Sequence, residues 1–252
     1  ARVFEHLRED AWVLVRGSAQ VDRYSQELTL TAQDINAGMA PERKDLAEEK
    51  RVELHLHTKM SSMDGLVNVK DLMKQLAKWG HSAVAITDHG VVQAFPEAHE
   101  VALRYNIKVI FGVEGYLTDE LKPKAGKNKN RSRSYHIIIM AKNQTGLQNL
   151  YQLVSLSHLE NFYRHPRLAR EKIQQFREGL ILGTACEAGE LIQAYLRGES
   201  QAILEEIASF YDFIEIQPTG NNEFLVRNGQ VPNLDGLKEI NRVLLALGEK
   251  LG

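Results

Sequence analysis

From Arg51 onward, apolar residues fall into two alternating patterns: short continuous runs, and longer stretches repeating every three or four positions. The first pattern predicts strands and the second amphipathic helices. Six strands are expected at Arg51–Thr58, Ser82–Asp88, Lys108–Leu117, Tyr135–Ala141, Leu180–Thr184 and Phe213–Gln217. Helices are expected at Val67–Trp79, Pro96–Tyr105, Leu147–His158, Glu190–Leu196, Gln201–Tyr211 and Leu234–Leu251. In the first of these, Val69, Leu72, Met73, Leu76 and Ala77 recur at helical spacing. Such an order predicts an α/β fold with parallel strands, and six of them suggest a barrel rather than an open sheet. A further strand is expected after the last helix.

Before Arg51 the pattern changes. Ala11–Gly17 and Glu27–Ala32 alternate or are β-branched and read as two strands joined through Val21–Ser25. A hairpin of this size has no core of its own, so it is expected to pair with something else or to dock. The charged stretch Ala37–Lys50, with Gly38 and Pro41, reads as a boundary. We therefore expect a small β segment with its linker at 1–45 and a main domain at 46–252. The 252 residues, 43% of them hydrophobic, suffice for one full core. A net charge of −2 gives no global nucleic-acid signature, so any such argument must be local. One cysteine excludes an internal disulfide. The sequence has no apolar stretch long enough for a membrane span, and a cytoplasmic location is expected.

The candidate chemistry lies at the strand ends. His55 and His57, one residue apart in Glu53-Leu-His-Leu-His-Thr58, project from one face of a strand, which suits metal chelation. A strand with two exposed histidines is the alternative. Asp64 follows closely in Met63-Asp-Gly65, and the second strand ends in Thr87-Asp-His-Gly90, with Asp88 and His89. The third carries Glu114, the fourth opens with His136, and the fifth runs into Cys186. In β/α barrels functional groups gather at the carboxyl ends of the strands. His136 is out of phase, because it begins its apolar run rather than ending it. Asp64 also fits an ordinary turn, Asp88 also fits a helix cap, and Cys186 also fits an inert core. Glu114 is harder to explain without a partner, since a buried carboxylate is costly unless paired or metal-bound.

In this order, His55-Leu-His57, Thr87-Asp-His-Gly90, Gly112-Val-Glu114, His136 and Cys186 resemble the motifs of the PHP (polymerase and histidinol phosphatase) domain. Leu54–Gly65, Ser134–Ile139, Leu150–Glu160 and Gly183–Glu190 are, more closely, similar to replicative DNA polymerase III of the PolC type from Gram-positive bacteria. The similarity covers nearly the whole chain, because that family places an oligonucleotide-binding (OB) domain directly before its PHP domain. It implies a distorted (β/α)7 barrel, truncated before its last strand and preceded by part of an OB-fold β-barrel. It also implies that His55, His57, Asp64, His89, Glu114, His136 and Cys186 hold up to three metal ions. Asp88 is expected to support the site, accepting a hydrogen bond from a ligand imidazole or capping the next helix. The family's last ligand pair, Asp-x-His or Asn-x-His, is expected beyond Gly252. Its proofreading exonuclease insertion is absent from the 118–134 loop. The chain is thus expected to be the OB/PHP portion of a DNA polymerase, working on DNA with the remaining polymerase domains and replisome subunits, while nucleotidyl transfer resides elsewhere.

Mixed histidine and carboxylate ligands suit zinc, manganese or iron better than magnesium alone. Metal-assisted phosphoester hydrolysis, resembling a 3′–5′ exonuclease, would use an activated water and no side-chain nucleophile. A purely structural metal site is the alternative within the same family. A free-standing phosphatase of the histidinol phosphate type is a third reading, against which the preceding strands stand. Arg164 and Arg167 are placed to meet a substrate phosphate, or are surface charges. The basic tract Lys122–Arg133 could track a phosphate backbone, but it has no interleaved aromatics and also fits a solvated loop.

Overall fold

The computed structural model describes residues 8–9, 11–40, 43–118 and 133–252. They belong to two units, 1–47 and 48–252. In the first unit, β1 (Val13–Val21) pairs antiparallel with β2 (Leu28–Ala37), with a register shift at Arg16/Gly17. The strands are longer than the alternation alone predicts. Asp22 organises their turn by accepting hydrogen bonds from the Tyr24 and Ser25 amides at 2.9 and 2.8 Å. Nearly every residue of both strands is exposed.

The second unit is built on a six-stranded sheet. β3 (Ala83–Ile86) runs parallel to β4 (Lys108–Thr118), and β4 is parallel farther along to β7 (His165–Ala169). β5 (Tyr135–Ala141) lies antiparallel between β4 and β8 (Leu180–Gly183), and the two-residue β6 (Phe162–Tyr163) hairpins onto β7. The expectation of uniformly parallel strands is therefore wrong at β5. The sequence between β4 and β5 has no helical period, whereas a parallel return needs a crossover, usually a helix. The reversal also explains why His136 opens its run: the start of β5 lies at the same edge as the ends of β4 and β8.

The first and sixth expected strands are extended segments rather than ladder strands. Each joins the sheet by one parallel bridge, Glu53↔Val84 and Gly183↔Phe213. A threonine hydroxyl replaces a backbone acceptor at both sheet edges. Thr87 Oγ1 accepts from the Leu56 amide at 2.8 Å, and Thr184 Oγ1 from the Glu215 amide at 2.9 Å. Gly183 is required where the last segment crosses, since a Cβ there would lie 2.1 Å from the Phe213 ring.

The helices pack as their periodicity predicts. α1 (Val69–Trp79) is capped by Asn68, whose side chain accepts from the Lys70 amide, and ends at left-handed Gly80. Its buried Val69, Met73 and Leu76 join α2 (Phe95–Tyr105), α3 (Gln144–Leu159) and the sheet in the main core, which contains Ile86, Ile137, Ile139, Leu153 and Leu182. The hairpin β6–β7 and the short α4 (Arg170–Gln175) are elements the apolar pattern does not reveal. α5 (Glu190–Leu196), α6 (Gln201–Ala208), α7 (Glu223–Arg227) and α8 (Leu234–Leu251) form a second apolar cluster. Among the described residues no helix is long and apolar enough to cross a membrane. All of the basic tract but Arg133 falls outside the described residues.

Candidate metal centre

Glu114 is the hub. It lies on β4 among apolar neighbours and is 1% exposed, and its partners among the described residues are imidazoles and a thiol. Oε1 lies 3.1 Å from His55 Nε2 and 2.8 Å from His136 Nδ1; Oε2 lies 3.2 Å from His57 Nε2 and 2.7 Å from His89 Nδ1. The Cys186 thiol is 3.6 Å from Oε1 and 3.5 Å from His136 Nδ1. Asp64, more exposed, reaches His89 Nε2 at 3.0 Å. All seven residues line one cavity of about 750 Å³.

The distances suit a cation better than hydrogen bonds alone. His89 Nδ1 and Glu114 Oε2 are 2.7 Å apart, yet both are buried without an aligned hydrogen-bond partner. His55 Nε2 and His57 Nε2 approach to 3.2 Å. Ligand atoms about 2.0–2.2 Å from a common ion sit roughly 3–3.5 Å from each other, so the His55–His57 contact and the 3.1 and 3.2 Å contacts of Glu114 with these two imidazoles match edges of a coordination polyhedron. Three overlapping groups hold their ligand atoms within 4.8 Å of one another: His55, His57, Glu114; His57, Asp64, His89; and His89, Glu114, His136. The donor set therefore fits divalent metal ions.

Electrostatics agree. Burial alone would keep Glu114 protonated, but contacts with His136, His55, His57 and His89 outweigh it and hold the carboxyl far below the usual carboxylate range. Burial works against a charged His55, yet Glu114 and Glu215 raise its pKa to about 10. His89 is likewise raised, by Glu114 and then Asp64, against its own burial. Burial, reinforced by the Glu114 charge, pushes the Cys186 thiol up. An ionised carboxylate buried in this way requires positive charge, from imidazolium protons or from metal.

Two supporting residues were not expected. Glu215, on the last extended segment, receives His55 Nδ1 at 2.9 and 3.0 Å. Ser61 Oγ contacts His57 Nδ1 at 2.9 Å while donating to Asp88 Oδ1 at 2.7 Å. A carboxylate only accepts, so Glu215 accepts a hydrogen bond from His55 Nδ1–H. Asp88 holds the Ser61 proton outward, so the hydroxyl oxygen accepts from His57. Both Nε2 atoms are thereby left facing Glu114. Among the described residues Asp88 accepts from the Thr58 amide and hydroxyl at 2.7 and 2.8 Å and from Ser61, through which it reaches His57. Glu215 gave the same signal as Glu114, a carboxylate alternating with apolar residues in Phe213-Ile-Glu-Ile. Non-glycine residues in the left-handed region, Met63 and Ala185, precede Asp64 and Cys186 directly. Backbone strain of this kind collects at functional sites.

Arg164 and Arg167 separate. Arg164 is exposed at the β6–β7 tip. Arg167 is 8% exposed, and its Nε donates to the Asn161 carbonyl at 3.2 Å. Arg167 braces the hairpin from within.

The PHP domain family matches residues 53–219. The chain belongs to that family. Over 99% of its length this PHP protein is 31% identical to a PolC-type DNA polymerase III of Clostridium perfringens, of which it covers 30%. It is 26% identical over its whole length to the PolC-type enzyme of Bacillus subtilis, covering 31% of it. A two-domain protein of Bacteroides vulgatus containing a predicted PHP-like metal-dependent phosphoesterase matches 71% of this chain and 49% of its own, at 12% identity and a TM-score of 0.36. The chain thus spans under a third of the PolC relatives. The Clostridium alignment has 441 positions against 252 residues here, so at least 189 positions of that relative have no counterpart in this chain.

Proposed function

We propose that this chain is the OB/PHP portion of a PolC-type replicative DNA polymerase and that its PHP site is a multinuclear metal centre acting on phosphoesters. The observation that carries the reading is the convergence of His55, His57, Asp64, His89, Glu114, His136 and Cys186 on one cavity, with orphaned buried donor and acceptor atoms at its centre. A free-standing histidinol phosphate-type phosphatase is disfavoured. The PHP family match begins at residue 53, whereas the PolC relatives match the preceding β hairpin as well. On this reading β1 and β2 are strands of an OB-fold barrel, and the exonuclease domain of the relatives belongs in the 118–134 loop.

The extended segments at 51–58 and 213–217, with β3, β4, β5 and β8 between them, form the wall of a distorted barrel. The two outer segments meet through His55 and Glu215 across the cavity, and one more strand is expected to close it. Zinc or manganese suits the donor set, with iron or magnesium as further candidates and up to three ions. When bound, such ions would supply Lewis-acid activation of a phosphate and of water. The chain's own residues fix the imidazoles, exclude bulk water around Glu114, and leave Asp64 and the cavity mouth accessible. The exposed Asp64 carboxylate beside the buried hub supports hydrolysis over a purely structural site. Arg164 is the candidate contact to substrate phosphate. DNA, the other polymerase domains and replisome subunits are the expected partners, in the cytoplasm.

The test is metal analysis of the purified protein together with hydrolysis assays on single-stranded DNA and a small phosphomonoester. Two or three equivalents of a transition metal, with metal-dependent cleavage of DNA, are expected. Bound metal without hydrolysis of either substrate would assign the site a structural role, and absence of metal affinity would remove the reading.

A further inference from the structure

We propose that the β6–β7 hairpin and Tyr116 form a nucleobase platform at the rim of the metal centre, engaging the terminal nucleotide of single-stranded DNA. The inference rests on the phosphoester reading above and names where that substrate's bases lie. Tyr116 follows Glu114 by two residues on β4, so its ring shares the face of the hub carboxylate. It lies 5.3 Å edge-on from His136, 6.1 Å and nearly parallel from His89, and 4.6 Å, also nearly parallel, from His165. His57 and His89 are themselves stacked at 4.1 Å. Four rings, each within 25° of the next, therefore lead from the candidate ligands to the exposed His165.

The hairpin is fixed to the site rather than hung over it. Pro166 packs against Gly90, where a Cβ would come within 2.4 Å of its Cγ. His158 Nε2 donates to the Gly90 carbonyl at 2.8 Å. Arg167 braces the Tyr163 ring from 5.3 Å. At the tip, Arg164 adopts φ +63° and its guanidinium lies 5.7 Å from the centre of the exposed Tyr163 ring, which follows exposed Phe162 in the chain. An arginine with exposed, rigidly backed aromatic rings is the composition that binds single strands by base stacking and phosphate contact. A small phosphomonoester has no base to occupy such a surface, and the cation favours a polyanion. The basic 118–134 tract lacks the aromatic half of this combination.

The test measures anisotropy of a fluorescent oligothymidylate against the full chain, with calcium replacing any hydrolysis-competent metal. One probe is intact and a second lacks its 3′-terminal base. The intact probe should bind about tenfold more tightly than the abasic one. Tyr163→Ala and His165→Ala should erase that preference, and Arg164→Glu should weaken both probes alike, with metal content unchanged in all three. Because binding is read without turnover, the test remains valid if the site proves hydrolytically silent. Equal binding of the two probes by the unmodified protein, or a preference that survives both aromatic substitutions, would overturn the platform.

Discussion

The two units use the same strand grammar to opposite ends. In the hairpin of residues 1–47, Leu14 is 71% exposed and Leu28 76%, and a long antiparallel register, shifted once at Arg16/Gly17, leaves nearly all of its described residues exposed. In residues 48–252, the segments at 51–58 and 213–217 barely pair, yet they carry His55, His57 and Glu215 into a site whose hub is fully buried. Regular pairing is therefore not what carries a segment into the candidate site here. Attachment to a core is. Each unit holds one of the two tryptophans, Trp12 and Trp79, so fluorescence of Trp12→Phe and Trp79→Phe variants can follow the units separately.

The comparison breaks most severely at Glu114. Glu114→Ala leaves four imidazoles gathered around a void and removes the acceptor they share. Loss of one partner from a buried charged cluster typically costs about 3–5 kcal/mol. Denaturant titration should show that loss in the Trp79 signal while the Trp12 signal is unmoved. A loss under about 1 kcal/mol would mean that the cluster is held open by the fold and not by its hub.

Metal removal should come next in size. An ion that binds only the folded state at a hundred times its dissociation constant adds about 2.7 kcal/mol. Dialysis against a chelator should lower the melting temperature read at Trp79, and readdition of zinc or manganese should restore it. An unchanged melting curve would contradict a metal centre in the second unit.

The supporting residues should give smaller, graded effects. Glu215→Ala and Ser61→Ala each remove the acceptor that holds an imidazole proton away from the site, so metal affinity is expected to fall about 10–100-fold. Glu215→Gln retains a carbonyl acceptor and should recover part of the loss. Competition against a chromogenic chelator measures this. Equal losses for Gln and Ala would show that the negative charge, and not the acceptor geometry, is what His55 uses.

These effects also mark what could be read from the chain. Glu114 was legible because a carboxylate in an apolar strand has few cheap explanations, and His55 and His57 because strand geometry puts alternate residues on one face. Glu215 gave the same signal as Glu114 but follows no motif. Its role depends on a contact with a residue 160 positions earlier, which no local pattern encodes. The direction of β5 was implied by the missing helical period before it and by the misplaced His136. Ser61 and Asp88 act as a pair through one hydroxyl, and nothing in Ser-Ser-Met-Asp marks which serine that is. The β6–β7 hairpin is too short, and too interrupted by Pro166, to show an alternating pattern.

The smallest expected effect is in the hairpin. A polar substitution at an exposed strand position is normally worth within about ±0.5 kcal/mol, so Leu14→Ser and Leu30→Ser should leave the denaturation of this chain nearly unchanged. Leu153→Ala, in the main core, should cost about 2–5 kcal/mol by the same measurement. If β1 and β2 belong to an OB barrel, the same serines should become costly in a protein that supplies the rest of it, because burying a leucine is worth about 1.5–3 kcal/mol. A penalty near that size already in the 252-residue chain would show that the hairpin face is covered here, and would place its partner within the chain rather than in further barrel strands.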